Sequence, residues 1–354
     1  MTGPVEVSWF SALCDDDYER LGVPDPALRS SWSHCSAIAR TAAAAGFDNL
    51  LLPSGYDLGI DAVAFAGGLA PQLERMRLLV AVRSGELWVP QLARQLATLD
   101  QMLGGRLTVN IISSDRPGER LDAEVRYRRT LEEMTVLRRL LDGEAVEFHG
   151  EFLDLHVAPP SARTVSGRCP ALYFGGLSEP AREVAAAAAD VYLLWPDTMP
   201  RVAAVLDDLR ARAARHGRRL RFGYRVHVVV RDTESEARDA ARALVADLDD
   251  AVGAAIRSRS LDSTSTGVRR QAELREDADD DGYVEPHLWT GIGRARSGCG
   301  AAIVGDPDQV AATLEAYRAL GIDAFILSGY PHEREAERFG RLVLPRLDHA
   351  PLAG

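Results

Sequence analysis

Short apolar runs alternate with amphipathic helical stretches along the whole chain, and this alternation limits the accessible folds more than any other feature. "VEVSWFSAL" is followed by a helical stretch near Ser33 to Gly46, "NLLLPS" by one from Asp61, "MRLLVAVRSG" by "VPQLARQLATLDQML", and "RLTVNIISSD" by one around Arg126 to Leu141. The second half repeats the pattern. "PALYFGG" precedes "SEPAREVAAAAAD", "VYLLWP" precedes "RVAAVLDDLRARAARHG", "RFGYRVHVVVRD" precedes "SEARDAARALVADLDD", and "DAFILSGYP" precedes a last helix. Strands alternating with helices build a parallel sheet, and eight such units in 354 residues predict a (β/α)8 TIM barrel with insertions. A doubly wound sheet would need a GxGxxG turn after its first strand, where this chain reads "SALCDDDYERLG". Residues 1–354 are therefore read as one barrel domain.

Two segments exceed a plain barrel. Residues 143–169, with "EAVEFHGEFLDLHV", have the pattern of a β-hairpin insertion. Residues 259–286 are polar and low in periodicity. Segments of that length in a compact domain are functional lids or disordered, and a mobile lid is expected here.

Composition removes whole classes of function. There is no lysine in the chain, so Schiff-base, pyridoxal phosphate, P-loop and kinase chemistry are all excluded. The formal net charge of −11 argues against nucleic-acid binding, which depends on neutralising phosphates. No apolar run approaches the roughly 18 residues of a membrane span, and "MTGPVEVSWF" is not a leader, so a cytoplasmic location is the default expectation. The four cysteines and eight histidines are dispersed without ligand spacing, and no metal site is expected.

In a barrel the chemistry sits where strands end, so the residues closing each run are the candidates. They are Cys14, Ser54, Arg83, Ser113 with Ser114, Gly175 with Gly176, Trp195, Arg225 with His227, and Tyr330 with His332. Carboxylates are scarce among them, which disfavours paired-acid hydrolysis. Arg225 and His227 stand two apart in a buried strand, so the pleat points both to one face, and burying them needs partners or a purpose. "GGLSEPAR" offers two glycines and Ser178 at a helix start, either a phosphate cradle or an ordinary turn with Ser178 as N-cap. "IVGDPDQV" is read as plain helix capping, with Asp306 as N-cap and Pro307 in the first turn.

"YFGG", "LLWPD", "RFGYRVHVVVRDT", "LWTGIG", "GCGAAIVGDPDQVA" and "ALGIDAFILSGYPHEREAERFG" together resemble the bacterial luciferase-like flavin monooxygenases, in the alkanesulfonate monooxygenase branch. The resemblance implies a two-component enzyme that takes reduced FMN from a separate flavin reductase, and O2 as co-substrate. It would oxygenate a small organic substrate, sulfonated or otherwise anionic, through a flavin peroxide shielded from water by the lid. It further implies catalytic roles for Arg225, His227, Arg296 and Tyr330, with His227 and Tyr330 orienting substrate or moving protons and His227 the better suited of the two near neutral pH. Gly175, Gly176, Ser178, Trp195 and Ser113 would hold FMN, and Trp9, Cys14, Gly59 and His332 would line the substrate pocket. A homodimer or homotetramer is implied as well. Cys14 stands where the branch carries a histidine, and Gly59 or Leu58 where it carries a cysteine, so a simple alkanesulfonate is not the expected substrate. A deazaflavin-dependent hydride transfer on the same barrel is the alternative, and a flavin-binding protein without turnover a third reading.

Overall fold

The strands of the computed structural model are β1 (Glu6–Phe10), β2 (Asn49–Leu52), β3 (Arg77–Arg83), β4 (Leu107–Ile112), β5 (Val146–His149), β6 (Asp154–Val157), β7 (Leu172–Gly175), β8 (Val191–Leu194), β9 (Arg221–Val230), β10 (Tyr283–Glu285), β11 (Leu288–Trp289), β12 (Ala302–Gly305) and β13 (Ala324–Ser328). Residues 3–55, 58–116, 118–258 and 265–352 are described. The eight apolar runs of the sequence become β1 to β4, β7 to β9 and β13, all parallel. Each is hydrogen-bonded to the next around a ring that β8 and β9 close. This is the expected (β/α)8 barrel.

Helices α1 (Trp32–Ala45), α2 (Ala62–Leu69), α3 (Val89–Met102), α4 (Ala123–Leu141), α5 (Glu179–Ala188) and α6 (Met199–Arg215) cross between successive strands of the ring. Beyond β9 come α7 (Glu234–Leu244), α8 (Asp250–Arg257), α9 (Thr266–Glu276) and α10 (Pro307–Leu320), and α11 (His332–Leu342) follows β13. Asp306 caps α10 as expected: its carboxylate accepts from the Asp308 and Gln309 amides, and Gln309 returns a bond to the Asp306 amide. No helix among the described residues is long and apolar enough to cross a membrane.

Strand alternation divides the core into two layers. Val7 and Trp9 of β1 face outward, with Trp9 packed on Phe47 and Phe339 beneath the helices. Glu6, Ser8 and Phe10 face inward. Trp9, expected in the substrate pocket, is therefore a residue of the outer layer.

The insertions differ from each other. Within 143–169, β5 and β6 pair antiparallel as a two-stranded hairpin. Of the expected lid, 259–264 lie outside the described residues, while 265–286 form α9 and β10. This helix is pinned to the loop after β8: Arg270 pairs with Asp197 at 2.7 Å and the Gln271 side chain donates to the Pro196 carbonyl. Its buried face consists of Gly267, Gln271 and Leu274, one large apolar side chain in all, so it leaves no helical period in the sequence.

β9 is the longest of the described strands, with 10 residues, because it pairs in turn with barrel strands and with β12. Its first half lies in the barrel between β8 and β13. From His227 onward it pairs with β12, and the same sheet continues outside the barrel through β11 and β10. Arg225 and His227 thus stand where the barrel opens.

Candidate active site at the barrel mouth

Arg225 is nearly fully buried and has no carboxylate within ion-pair distance among the described residues. Its guanidinium donates to the carbonyls of Val226 and Ile326 and, at 2.8 Å, to the Ser328 hydroxyl, and lies 4.4 Å from the centroid of the Phe10 ring. Burial makes that charge costly and pulls its pKa below the usual arginine value. Ser328 also contacts His227 Nδ1 at 2.7 Å. Burial first, then the nearby Arg225 and Arg296 charges, hold His227 well below the ordinary histidine range. Its Nε2 has no partner among the described residues. Tyr330 stacks on this imidazole at 5.2 Å, and its hydroxyl is likewise unpartnered.

The loop after β1 supplies the other wall. Asp16 pairs with Arg296 at 2.9 Å through Oδ2 and leaves Oδ1 buried and unpartnered. Burial works against the Arg296 charge, but Tyr330 and Asp16 outweigh it and raise the pKa. Asp17 is wholly buried between two imidazoles: Oδ1 accepts from His332 Nδ1 at 2.8 Å and from the His332 amide, and Oδ2 meets His34 Nε2 at 2.9 Å. Burial alone would raise the Asp17 pKa; the charge and hydrogen bonds of His332 and the bond from His34 reverse this and bring it far below the usual carboxylate range. His332 Nε2 has no partner among the described residues, and its ring meets Tyr330 edge-on at 5.1 Å.

Cys14 lies at the rim of this wall, where burial pushes its thiol up to about 12. Gly59 abuts it but contributes backbone only. At φ +76°, a Cβ there would fall 1.6 Å from the Leu13 carbonyl oxygen, so glycine is demanded by the turn rather than by a ligand.

Across the mouth, a cleft of about 180 Å³ brings together all five residues expected at the cofactor: Ser113, Gly175, Gly176, Ser178 and Trp195. A Cβ on Gly175 would sit 2.7 Å from the Leu193 carbonyl oxygen and one on Gly176 2.7 Å from Ala181 Cβ, so only glycines keep this cradle open. Ser178 is the N-cap residue of α5, yet its hydroxyl makes no capping bond and is buried without a partner. A free hydroxyl beside a helix N-terminus and a glycine cradle suits a phosphate. Arg126, held by Asp115 at 2.9 Å, lines the same cleft with a buried, unpartnered Nε. Gly267 of α9 and Gly298 both lie against the Trp195 ring, so the insertion reaches this cleft.

Arg225, His227, Arg296, Tyr330, His332 and Cys14 thus converge at the mouth, and Trp9 stands apart from them. Reading strand ends missed Asp16, Asp17, Ser328 and Arg126. The first two are acidic turn residues with no period to mark them. Ser328 could have been found, since it closes β13 in the register opposite His227.

The luciferase-like monooxygenase family model matches residues 11–324. A sulfoquinovose monooxygenase of Novosphingobium aromaticivorans is 62% identical over 354 residues, 98% of each chain. Another, of Agrobacterium fabrum, is 53% identical over 345 residues, 97% of this chain and 89% of its own. Among solved structures, a riboflavin lyase superposes with a TM-score of 0.80 at 17% identity, covering 99% of this chain and 94% of its own. The EDTA monooxygenase of Chelativorans sp. BNC1 gives 0.78 at 16%, covering 97% and 93%. At such identities these two speak to the fold, which is the barrel described above. With nearly its full length matched and the expected residues gathered at one strand-end mouth, the chain belongs to the luciferase-like monooxygenase family.

Proposed function

We propose that this protein takes reduced FMN from a separate flavin reductase and uses O2 to oxygenate a sulfonated sugar of the sulfoquinovose type at the carbon bearing the sulfonate. The observation that carries the reading is Arg225. A buried guanidinium with no counter-charge among the described residues is costly, and a substrate anion would repay that cost through charge-assisted hydrogen bonds. Arg296 is already neutralised by Asp16, so the sulfonate belongs with Arg225. The free Asp16 Oδ1 is an acceptor suited to a sugar hydroxyl, which a simple alkanesulfonate lacks. The substrate named for the relatives at 62% and 53% identity supports the same class.

The cradle of Gly175 and Gly176 with the free Ser178 hydroxyl fits the FMN phosphate, and Trp195 bounds the space beside it. Bound reduced flavin supplies the two electrons that split O2 between product and water. The balance is one sulfonate, one O2 and one reduced flavin giving an aldehyde, bisulfite, oxidised flavin and water. The burial of Arg225, His227 and His332 excludes water from the reacting carbon.

The test is sulfite release from sulfoquinovose in the presence of a flavin reductase, NADH and FMN, alongside anaerobic titration with photoreduced FMN and with reduced deazaflavin. Sulfite appearing in step with O2 consumption, together with preferential binding of reduced FMN, supports the reading. Binding of deazaflavin alone, or O2 consumption that never exceeds the reductase background, overturns it.

A further inference from the structure

The two imidazoles flanking Tyr330 are wired in opposite senses. Ser328 Oγ accepts a hydrogen bond from Arg225 Nη2 and has one proton of its own to place. Its other contact is His227 Nδ1 at 2.7 Å, and Ser328 is fully buried. If Nδ1 carried a proton, the serine proton would have no acceptor in a buried site. The satisfied arrangement has Ser328 O–H donating to Nδ1, which leaves the His227 proton on the unpartnered Nε2.

His332 is the converse case. Asp17 is acceptor-only when ionised, and it also takes bonds from the amides of Tyr18 and His332 and from His34 Nε2. Each of these contacts requires a proton from the partner. His332 Nδ1 therefore carries hydrogen toward Asp17 at 2.8 Å, and in the neutral imidazole the unpartnered Nε2 is the nitrogen without a proton. The groups facing this ring are Phe10 from β1, Asp17 with His34 behind it, and Tyr330, with the Arg225 and Arg296 charges beyond His227. No other carboxylate is hydrogen-bonded to it among the described residues.

We infer that His332, oriented by Asp17, is the proton acceptor of the reaction, and that His227 serves instead as a hydrogen-bond donor through Nε2–H. The inference rests on the monooxygenase reading and deepens it. Once one oxygen atom of O2 has been placed on the sulfonate-bearing carbon, that carbon carries both a hydroxyl and a sulfonate. Its collapse needs a base and no further oxidant. The hydroxyl proton passes to His332 Nε2, the O–H electron pair forms the C=O bond, and the C–S pair leaves with sulfite. Asp17 is a positioning residue: it fixes the tautomer and stabilises the imidazolium without itself taking the proton, the division of labour found in other carboxylate-imidazole pairs. His227, donating through Nε2–H, is placed to hold an oxygen of the sulfonate or of the developing carbonyl.

Long-range 1H–15N correlation spectra of the histidine-labelled protein without substrate, assigned with H227N and H332N, read the two tautomers directly. Expected are a bare Nε2 on His332 and a protonated Nε2 on His227. In turnover, D17N lowers kcat by about 100-fold with KM changed only a few-fold, and H332Q loses the acid limb of the pH–rate profile. A merely structural role would leave that limb in place. Protonated Nε2 on His332, or D17N with unchanged kcat, overturns the inference. Reduced-FMN binding by D17N establishes that the variant is folded; if it does not fold, the spectra of the parent protein decide. The spectra need no substrate, so absence of turnover with every sulfonated sugar would count against the substrate reading alone.

Discussion

At the floor of the barrel, Glu6 is fully buried and fully satisfied. Its Oε1 accepts from Ser8, Asn49 and Tyr173, and its Oε2 from the Leu352 amide of the C-terminal segment. At the mouth, Arg225 is also buried but lacks a counter-charge, and His227 Nε2, His332 Nε2, the Tyr330 hydroxyl and Asp16 Oδ1 all lack partners among the described residues. Both ends bury polar groups in an apolar barrel; the bonds of the Glu6 carboxylate are complete, whereas several groups that share one wall of the mouth are left open. A satisfied buried network specifies structure, whereas an unsatisfied one marks where a ligand completes the set. The difference marks the mouth as the candidate site from the clustering of its open groups.

The sharpest way to break this contrast is Arg225→Ala. If the mouth is arranged for an anion, the variant folds, keeps its affinity for reduced FMN and loses about 100- to 1,000-fold in kcat/KM for the sulfonate, measured as sulfite release. Arg225→Lys recovers part of that loss, because a point charge cannot reproduce the forked contacts to Ser328 and Ile326. Turnover surviving in Arg225→Ala would place the anion elsewhere. Glu6→Ala is the matching test of the floor. It strands the donors of Asn49, Tyr173 and Leu352 and costs about 1–3 kcal/mol of stability by denaturant titration, with kcat of the folded fraction unchanged. A floor variant that lost activity before stability would remove the distinction between the two ends.

Much of this contrast was legible in the sequence, and the rest was hidden for identifiable reasons. All eight barrel strands are apolar runs bounded by turn residues, so the ring could be read directly. The pair Arg225 and His227 announced itself by its two-residue spacing, and Gly175, Gly176 and Ser178 by their place between strand and helix. Trp9 was misplaced for want of the same alternation rule: it shares a face with Val7, which the outer core claims. Asp16 and Asp17 lie in "CDDDYER", where neighbouring acids look like any solvated turn; it is the fold that brings His332 and His34 to one of them and Arg296 to the other. Helix α9 escaped because Gly267 and Gln271 occupy positions where a period would show leucines.

Within the mouth the cleft proposed for FMN is the better supported by backbone, which predicts smaller effects there. Ser178→Ala removes one hydroxyl from a cradle that still has the Gly175 and Gly176 backbone and the start of α5. Affinity for reduced FMN should fall by roughly tenfold in anaerobic titration, the share of a single hydrogen bond to a charged group, while kcat at saturating flavin is unchanged. A loss confined to kcat would mean that Ser178 faces the substrate instead.

The smallest effect belongs to Cys14. A thiol at the rim of the mouth invites a nucleophilic role. Its surroundings argue the other way. Burial and then the neighbouring Asp16 raise its pKa to about 12, and the more modest pull of Arg296 and Arg83 does not reverse this. Such a thiol is almost entirely protonated at neutral pH, and the thiolate is the reactive form. Cys14→Ala should therefore leave the pH profile and the maximal rate close to those of the parent, with any change falling on KM through the shape of the pocket. In the native protein at pH 8, iodoacetamide should leave Cys14 unmodified by peptide mass mapping. Rapid alkylation there, abolished by bound substrate, would make the rim chemically active and extend the unsatisfied character of the mouth to a residue whose surroundings now mark it as wall.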